Sequence, residues 1–368
     1  MAVVKQRLLK TGERIRVMVV DDSVVVRRLV AQALSNDLML EVVGTASNGA
    51  IGLQRIPELK PDVITLDIEM PDMNGLEMLK RVRRDYPQLR VIMFSTLTER
   101  GAGITLQALS LGADEYVAKV SNEGSLDNSM NRLREEMIPK IKQFFRSPDS
   151  SQTAAPAYVP AVAPAHPARP LVQAMQARPK VVVIGISTGG PAALAAMLPS
   201  FPASFPLPVL VVQHMPPLFT RLLAERLNES CQLKVKEAKQ DDPVEPGTIL
   251  LAPGDFHMKV VSKGGGVRVS LDQTPQQNSC RPAVDPLFAS AAEVFGGAVI
   301  AVVLTGMGQD GLRGAGILKA RGARVIVQDE ASSVVWGMPG AVVNAGLADR
   351  VLPLDQVVAE ILTITGRH

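Results

Sequence analysis

The chain has 368 residues, more than one hydrophobic core usually serves, so two domains are expected. Hydrophobic residues make up 46% and charged residues 20%, an ordinary soluble balance, and a scattered net charge of +3 does not single out nucleic acid as a partner. The two cysteines, Cys231 and Cys280, supply neither a disulfide framework nor metal-ligand spacing, which fits a reducing compartment. No stretch reaches the roughly 18 apolar residues of a spanning helix, and "MAVVKQRLLKTGER" lacks the apolar centre of a signal peptide. A cytoplasmic, monomeric protein with no membrane insertion is expected.

From the N-terminus, "IRVMVV", "LEVVGT", "DVITLD", "RVIMFS" and "EYVAKV" read as five buried strands. Segments such as "VVVRRLVAQALS" and "NGLEMLKRVRRDY", with apolar residues at helical spacing, lie between them. Residues 147–179 break every periodic pattern: seven of these 33 residues are proline and nine are alanine, the composition of a tether. Its ends would lie about 30 Å apart as a flexible coil. Beyond it, "KVVVIGIS", "LPVLVVQH", "LKVKEA", "AVIAVVLTG" and "ARVIVQD" repeat the strand signal with helices between, while "TILLAPG", "MKVVS" and "VRVSLD" read as an antiparallel insertion. Strands alternating with helices imply parallel sheets with helices on both faces. The expected architecture is two three-layer α/β domains, residues 1–146 and 180–368, joined by the linker 147–179.

In open α/β sheets ligands gather at the carboxyl ends of strands. In the first domain those ends carry Asp21 and Asp22, Asp67, Ser95 and Lys119. If the first and third strands are neighbours, three carboxylates converge and repel unless a cation neutralises them, and few oxygen ligands with open positions suit Mg²⁺. Asp67 would then be a nucleophile towards a phosphoryl group, with Lys119 and the Ser95 hydroxyl on its oxygens. Taken singly, each aspartate is as readily a solvated strand cap.

"VMVVDDS", "ITLDIEMPDMNGLEML", "FSTLTE" and "EYVAK" together resemble a response-regulator receiver domain, a likeness that covers residues 15 to about 140. The resemblance implies a flavodoxin-like fold with Asp67 as phospho-acceptor. It also implies Asp21 and Asp22 holding Mg²⁺ with Asp67 and the Glu69 backbone carbonyl, Ser95 and Tyr116 as switch residues, and Lys119 on the phosphoryl group. Val120 stands where receivers usually have proline.

In the second domain "GISTGG" admits three explanations. A dinucleotide loop needs a glycine where Ser187 stands and an acid about 20 residues on, and "FPLPVLVV" has none. A hydroxyl that caps the following helix is the plain alternative. Gly185-Ile186-Ser187-Thr188-Gly189 also fits Gly-x-Ser-x-Gly, the sharp turn that exposes a serine nucleophile. A nucleophile needs a base and an orienting acid. Of four histidines, His166 lies in the linker, His368 ends the chain and His257 begins an antiparallel segment, which leaves His214 at the end of "LPVLVVQH". Asp310, in "LTGMGQDGLRG", follows another parallel strand, although a turn aspartate is a bland alternative there.

"GISTGG", "QHMPPLFTRLLAERLN", "LAPGDFHM", "RPAVDPLF" and "LTGMGQDGLRG" resemble the catalytic domain of the chemotaxis protein-glutamate methylesterases, and a receiver tethered to that domain is the family's architecture. The resemblance implies a modified Rossmann-like domain with a Ser187, His214, Asp310 triad and no cofactor for the esterase chemistry. Thr188 and Met307 would stand beside the oxyanion and Arg281 near the substrate, with Cys280 before it where a histidine is expected. It further implies hydrolysis of glutamyl-γ-methyl esters of chemotaxis receptors, deamidation of receptor glutamines, and a histidine kinase as phosphodonor. Phosphorylation would relieve obstruction of the site, and tenfold activation needs only about 1.4 kcal/mol. The competing reading is a receiver that regulates a nucleotide-binding or other signalling output domain; a DNA-binding output would be short, helical and basic.

Overall fold

The computed structural model describes residues 6–96, 98–119, 126–146 and 177–366. Contacts divide the chain into two compact units, Met1–Asp149 and Ser150–His368. Val120, His166, His368 and linker residues 147–176 lie outside the described residues.

The first unit runs β1 (Arg7–Leu8), β2 (Ile15–Val20), α1 (Val24–Ser35), β3 (Leu40–Ala46), α2 (Gly49–Leu59), β4 (Val63–Asp67), α3 (Gly75–Asp85), β5 (Arg90–Ser95), α4 (Glu99–Ser110), β6 (Glu115–Ala118), α5 (Leu126–Lys142) and β7 (Phe145–Arg146). The five predicted strands form one parallel sheet in the order β3-β2-β4-β5-β6. Helices cover both faces, so β4 and β5 are buried along their whole length and read as unbroken apolar runs rather than alternating ones. Polar side chains start the helices: Ser23, Asn48 and Thr98 accept from backbone N–H groups, and Asn74 and Glu77 form a reciprocal capping box. The two-residue parallel pair β1–β7 had no sequence signal, because two residues carry no periodicity.

At the amino end of this sheet Asp114 is a part-buried charge centre. Its carboxylate accepts from Arg83 Nη2 (2.6 Å), Arg90 Nη1 (2.7 Å) and the Val91 N–H (2.8 Å). Arg90 also lies 4.7 Å from the centre of the Phe144 ring.

The second unit runs β8 (Val181–Ile186), α6 (Gly190–Met197), β9 (Val209–Gln213), α7 (Phe219–Ser230), β10 (Lys234–Glu237), β11 (Thr248–Leu251), β12 (His257–Lys263), β13 (Gly266–Asp272), α8 (Val284–Phe295), β14 (Val299–Val303), α9 (Leu312–Ala320), β15 (Arg324–Gln328), α10 (Met338–Asn344), β16 (Arg350–Leu352) and α11 (Leu354–Ile364). Its main sheet is parallel throughout, in the order β10-β11-β9-β8-β14-β15-β16. Two α/β units with parallel sheets are therefore present, as expected.

One assignment is corrected. "TILL" is not part of the antiparallel insertion; it is β11, a parallel strand between β10 and β9. Its last three residues are buried in succession, the pattern of a strand covered on both faces. The insertion is the hairpin β12–β13 alone, where Met258 and Val260 are buried and Val261 is exposed. The short edge strand β16 was not anticipated. Helix α8 lays Val284, Leu287, Phe288 and Ala291 against the inner strands, building a core directly beneath the carboxyl ends that matter below.

Replacing Asp114 with Ala removes the carboxylate shared by the buried Arg90 and the part-buried Arg83. The variant is expected to lose about 3 kcal/mol of first-unit stability, read as faster amide hydrogen exchange in β4 and β5 with exchange in β8 and β14 unchanged.

Candidate functional site

The register of β2 against β4, Val17 opposite Val63 through Val20 opposite Leu66, brings their carboxyl ends together. Asp21 and Asp22 follow β2 and Asp67 ends β4, and one carboxylate oxygen from each lies within 4.8 Å of the others. Asp21 and Asp67 are buried and Asp22 is exposed. Lys119, just past β6, places Nζ 2.8 Å from Asp67 Oδ1 and 3.1 Å from Asp21 Oδ2. The Ile68 N–H also donates to Asp67 Oδ1 (2.7 Å). Asp67 Oδ2 is buried without a hydrogen-bond partner among the described residues, and Asp21 Oδ2 faces Lys119 without a well-aligned bond. Burial pushes the Asp67 carboxyl up to about 6; Lys119 works against that and the Asp21 charge adds to it. One ammonium cannot neutralise three carboxylates, and an orphaned oxygen in an all-oxygen cluster fits a hard divalent cation.

The cleft above has a volume of about 290 Å³, with Glu69, Ser95 and Lys119 in its walls. The Ser95 hydroxyl is turned towards α4: it accepts from Thr105 Oγ1 (2.7 Å) and lies 3.3 Å from the Gly101 carbonyl. Tyr116 is buried, with Lys140 Nζ 4.9 Å from its ring centre and donating to its carbonyl (2.7 Å). Burial holds the Tyr116 phenol well above its usual range.

In the second unit the chain builds outward from β8 through β9 and returns on the other side of β8 as β14. That reversal of strand order opens a crevice at the carboxyl ends of β8 and β14. Ser187 follows β8 directly. Its N–H donates to the Thr305 carbonyl (2.9 Å), and its carbonyl accepts from the Gly190 N–H (2.7 Å) and from Gln213 Nε2 (3.0 Å). The N-cap of α6 is Gly189, not Ser187, and its φ of 79° is left-handed backbone that glycine adopts freely. Gly306 leaves room for the serine: a Cβ there would stand 2.7 Å from Ser187 Cβ.

His214 follows β9, the strand beside β8, and its Nε2 lies 2.8 Å from Asp310 Oδ2. Asp310 sits in the loop between β14 and α9, and its carboxylate accepts five hydrogen bonds. Oδ2 takes those from His214 and the Val284 N–H (2.6 Å). Oδ1 takes those from Asn278 Nδ2 (2.8 Å), the Asp285 N–H (3.1 Å) and the Gly311 N–H (3.0 Å). Among the described residues no hydrogen bond joins Ser187 Oγ to His214. Burial works to raise the Asp310 carboxyl, but His214 and the Val284 and Asp285 amides outweigh it and hold the group below its usual value. Burial likewise works to lower the His214 imidazole; the Asp310 hydrogen bond and then the Cys280 thiol beside it outweigh that and raise it.

The sequence pattern of the family described as CheB methylesterase matches residues 182–361, and that of the response regulator receiver domain matches residues 17–131. The protein-glutamate methylesterase/protein-glutamine glutaminase of Trichodesmium erythraeum is 48% identical over 355 residues, which covers 96% of this chain and 99% of that protein. The protein of the same description from Nocardioides sp. is 51% identical over 360 residues, covering 96% of each chain. The chain belongs to the CheB methylesterase family. A solved structure agrees: the CheB methylesterase catalytic domain of Thermotoga maritima superposes with a TM-score of 0.50 at 46% identity, covering 50% of this chain and 98% of that one.

In this CheB methylesterase family member the other predicted residues take varied places. Thr188 is buried next to Ser187, whereas Met307 is 45% exposed. Arg281 is tied down: Nε and Nη2 donate to Asp255 Oδ1 (3.0 and 2.6 Å), and Nη1 donates to the carbonyls of Gln273 (3.0 Å) and Thr274 (3.1 Å). His257 is fully buried; its Nδ1 accepts from the Ala283 N–H (3.2 Å), so its Nε2 donates to the Pro275 carbonyl (3.1 Å), a structural use of both nitrogens. Three residues escaped sequence reasoning: Gln213, Asn278 and Asp285. Asp285 lies inside "RPAVDPLF" and Gln213 precedes His214, but neither spacing announces a role, and Asn278 reads as a plain turn residue.

If the short His214–Asp310 bond is what raises the imidazole, Asp310→Asn returns the His214 titration towards its unperturbed value of about 6.5. Proton–carbon NMR of the imidazole across a pH series measures it.

Proposed function

We propose that the second unit hydrolyses glutamyl-γ-methyl esters of chemotaxis receptors to glutamate and methanol, and deamidates particular receptor glutamines, under control of the first unit as a phospho-acceptor. The observation that carries the reading is the 2.8 Å bond between His214 and a buried, fully hydrogen-bonded Asp310, one strand from a serine on a Gly-rich turn. In this reading residues 1–146 are the receiver, 147–179 the tether and 180–368 the catalytic domain of a monomeric, cytoplasmic protein.

Ser187 attacks the ester carbonyl. With Nε2 engaged by Asp310, the other ring nitrogen, Nδ1, takes the hydroxyl proton. The Oγ–imidazole bond forms when substrate closes the site, since such bonds are commonly loose in a free enzyme. Asp310 fixes the tautomer and stabilises the imidazolium. Backbone N–H groups at Thr188 and Met307 meet the oxyanion, and Arg281 shapes the nearby wall by holding the loop at Asp255. His214 then gives its proton to the departing methoxide or amide group, which leaves as methanol or ammonia. Water, deprotonated by His214, attacks the acyl carbon, and the proton returns to Ser187 as glutamate is released. No metal enters these steps.

In the first unit Asp67 Oδ2, the orphaned oxygen, is the natural nucleophile towards a phosphoryl group from a histidine kinase. Asp21, Asp22, Asp67 and the Glu69 carbonyl would hold Mg²⁺, which supplies charge neutralisation for phosphoryl transfer. Lys119 holds the phosphoryl oxygens, and reorientation of Ser95 and Tyr116 carries the change outward. No helix among the described residues is long and apolar enough to cross a membrane.

Ser187→Ala is expected to lower kcat for methanol release from methylated receptor membranes by about 10⁴-fold or more. Retained release assigns the chemistry elsewhere. For the parent, kcat/KM rises with pH through the His214 pKa, above 6.5, because only the neutral ring accepts a proton; a flat profile from pH 6 to 9 contradicts His214 as base. Asp67→Asn is expected to abolish the activation given by a phosphodonor with Mg²⁺ while leaving unstimulated activity in place.

A further inference from the structure

Residues Gln277–Cys280 close a two-residue turn. The Gln277 and Cys280 backbones exchange hydrogen bonds of 3.1 and 2.9 Å, and the tip residues Asn278 and Ser279 have φ of 51° and 61°. Two successive non-glycine residues in left-handed backbone cost energy, and such turns usually include glycine. The Asn278 side chain shows what this turn achieves. Its Nδ2 donates to Asp310 Oδ1 (2.8 Å) and to Asp285 Oδ2 (3.1 Å). Both carboxylates are buried, Asp310 1% and Asp285 8% exposed. They stand side by side, since the Asp285 N–H donates to Asp310 Oδ1, and the far Asp285 oxygen is held by the Gly314 N–H (2.7 Å).

Two carboxylates this close and this dry repel, and the usual relief is a proton shared between them. Burial and the Asp310 charge both push the Asp285 carboxyl upward. A proton on Asp285 would be donated to Asp310 and would weaken the charge that Asp310 presents to His214. A neutral primary amide with two donor hydrogens can bond both acids at once and remove the need for that proton. Serine has one donor, and leucine none.

We propose that Asn278 is a positioning residue for the His214–Asp310 pair: its amide bridges Asp310 and Asp285, fixes the orientation of the Asp310 carboxylate and keeps its charge on the imidazole. This rests on the roles given above to Ser187, His214 and Asp310. The titratable groups facing the imidazole are Asp310 from the β14–α9 loop, with Asp285 of α8 behind it, and Cys280 from the same turn as Asn278. Arg281, next along, is occupied by Asp255.

The test uses the full-length chain with Asn278→Gly and Asn278→Asp. Glycine adopts positive φ without strain, so the turn persists and only the amide is lost. Aspartate keeps the size but carries at most one donor proton. Both variants are expected to lose about tenfold or more in kcat with KM changed by less than about twofold. Both are also expected to titrate His214 at a lower pH than the parent by imidazole NMR. A role confined to backbone conformation predicts parental kcat and parental titration for Asn278→Gly, and that result overturns the proposal. Ser187→Ala is run alongside. If it retains methanol release, the triad reading fails, while the His214 titration still decides whether Asn278 acts on Asp310.

Discussion

The catalytic half of this chain depends on one buried carboxylate being satisfied. Asp310 lies in a crevice where an unpaired charge would be strongly disfavoured, and five donors surround it. Three are backbone N–H groups from the starts of α8 and α9, where helices present unpaired donors. One is an asparagine on the turn that also carries Cys280. Only the fifth, His214, can move a proton. The structure thus uses most of its local hydrogen bonding to keep one acid ionised, and directs the result at a single ring.

The first unit treats its own strand-end acids in the opposite way. Asp67 has Lys119 and one amide on Oδ1, while Oδ2 is left without a hydrogen-bond partner among the described residues. A carboxylate provided with donors is a stable charge that orients its neighbour. One left short of donors beside two further acids is a reactive charge that gains from a cation or a covalent partner. Both sites stand on parallel sheets at the carboxyl ends of central strands. The difference lies in the loops, which deliver amides to one and acids to the other.

The folds position these loops by burial. In both sheets the inner strands are covered on two faces, so register is set by continuous apolar packing rather than by alternation. Register then determines which side chains emerge at the rim: Val20 opposite Leu66 places Asp21 near Asp67, and Gly185 opposite Val303 places Ser187 beside the loop that carries Asp310. Gln213 ties the two rims of β8 and β9 by donating to the Ser187 carbonyl, which couples the Ser187 turn to the strand that precedes His214.

Composition and periodicity by themselves determined two α/β units with parallel strands, and strand-end position picked out Asp21, Asp67, Lys119, Ser187, His214 and Asp310. These were accessible because they sit where local sequence signals stop: a buried run ends and a polar residue follows. "TILL" was misplaced because four apolar residues do not say which sheet covers them. Asn278, Asp285 and Gln213 were invisible because their importance is a matter of approach. The Asn278 turn and the start of α8 reach Asp310, and Gln213 reaches Ser187, only after the core beneath α8 has packed. The Ser95 hydroxyl pointing into α4 and the guanidinium of Arg281 held by Asp255 are of the same kind. Side-chain direction follows from which donor is nearest in space, and only the tertiary structure decides that.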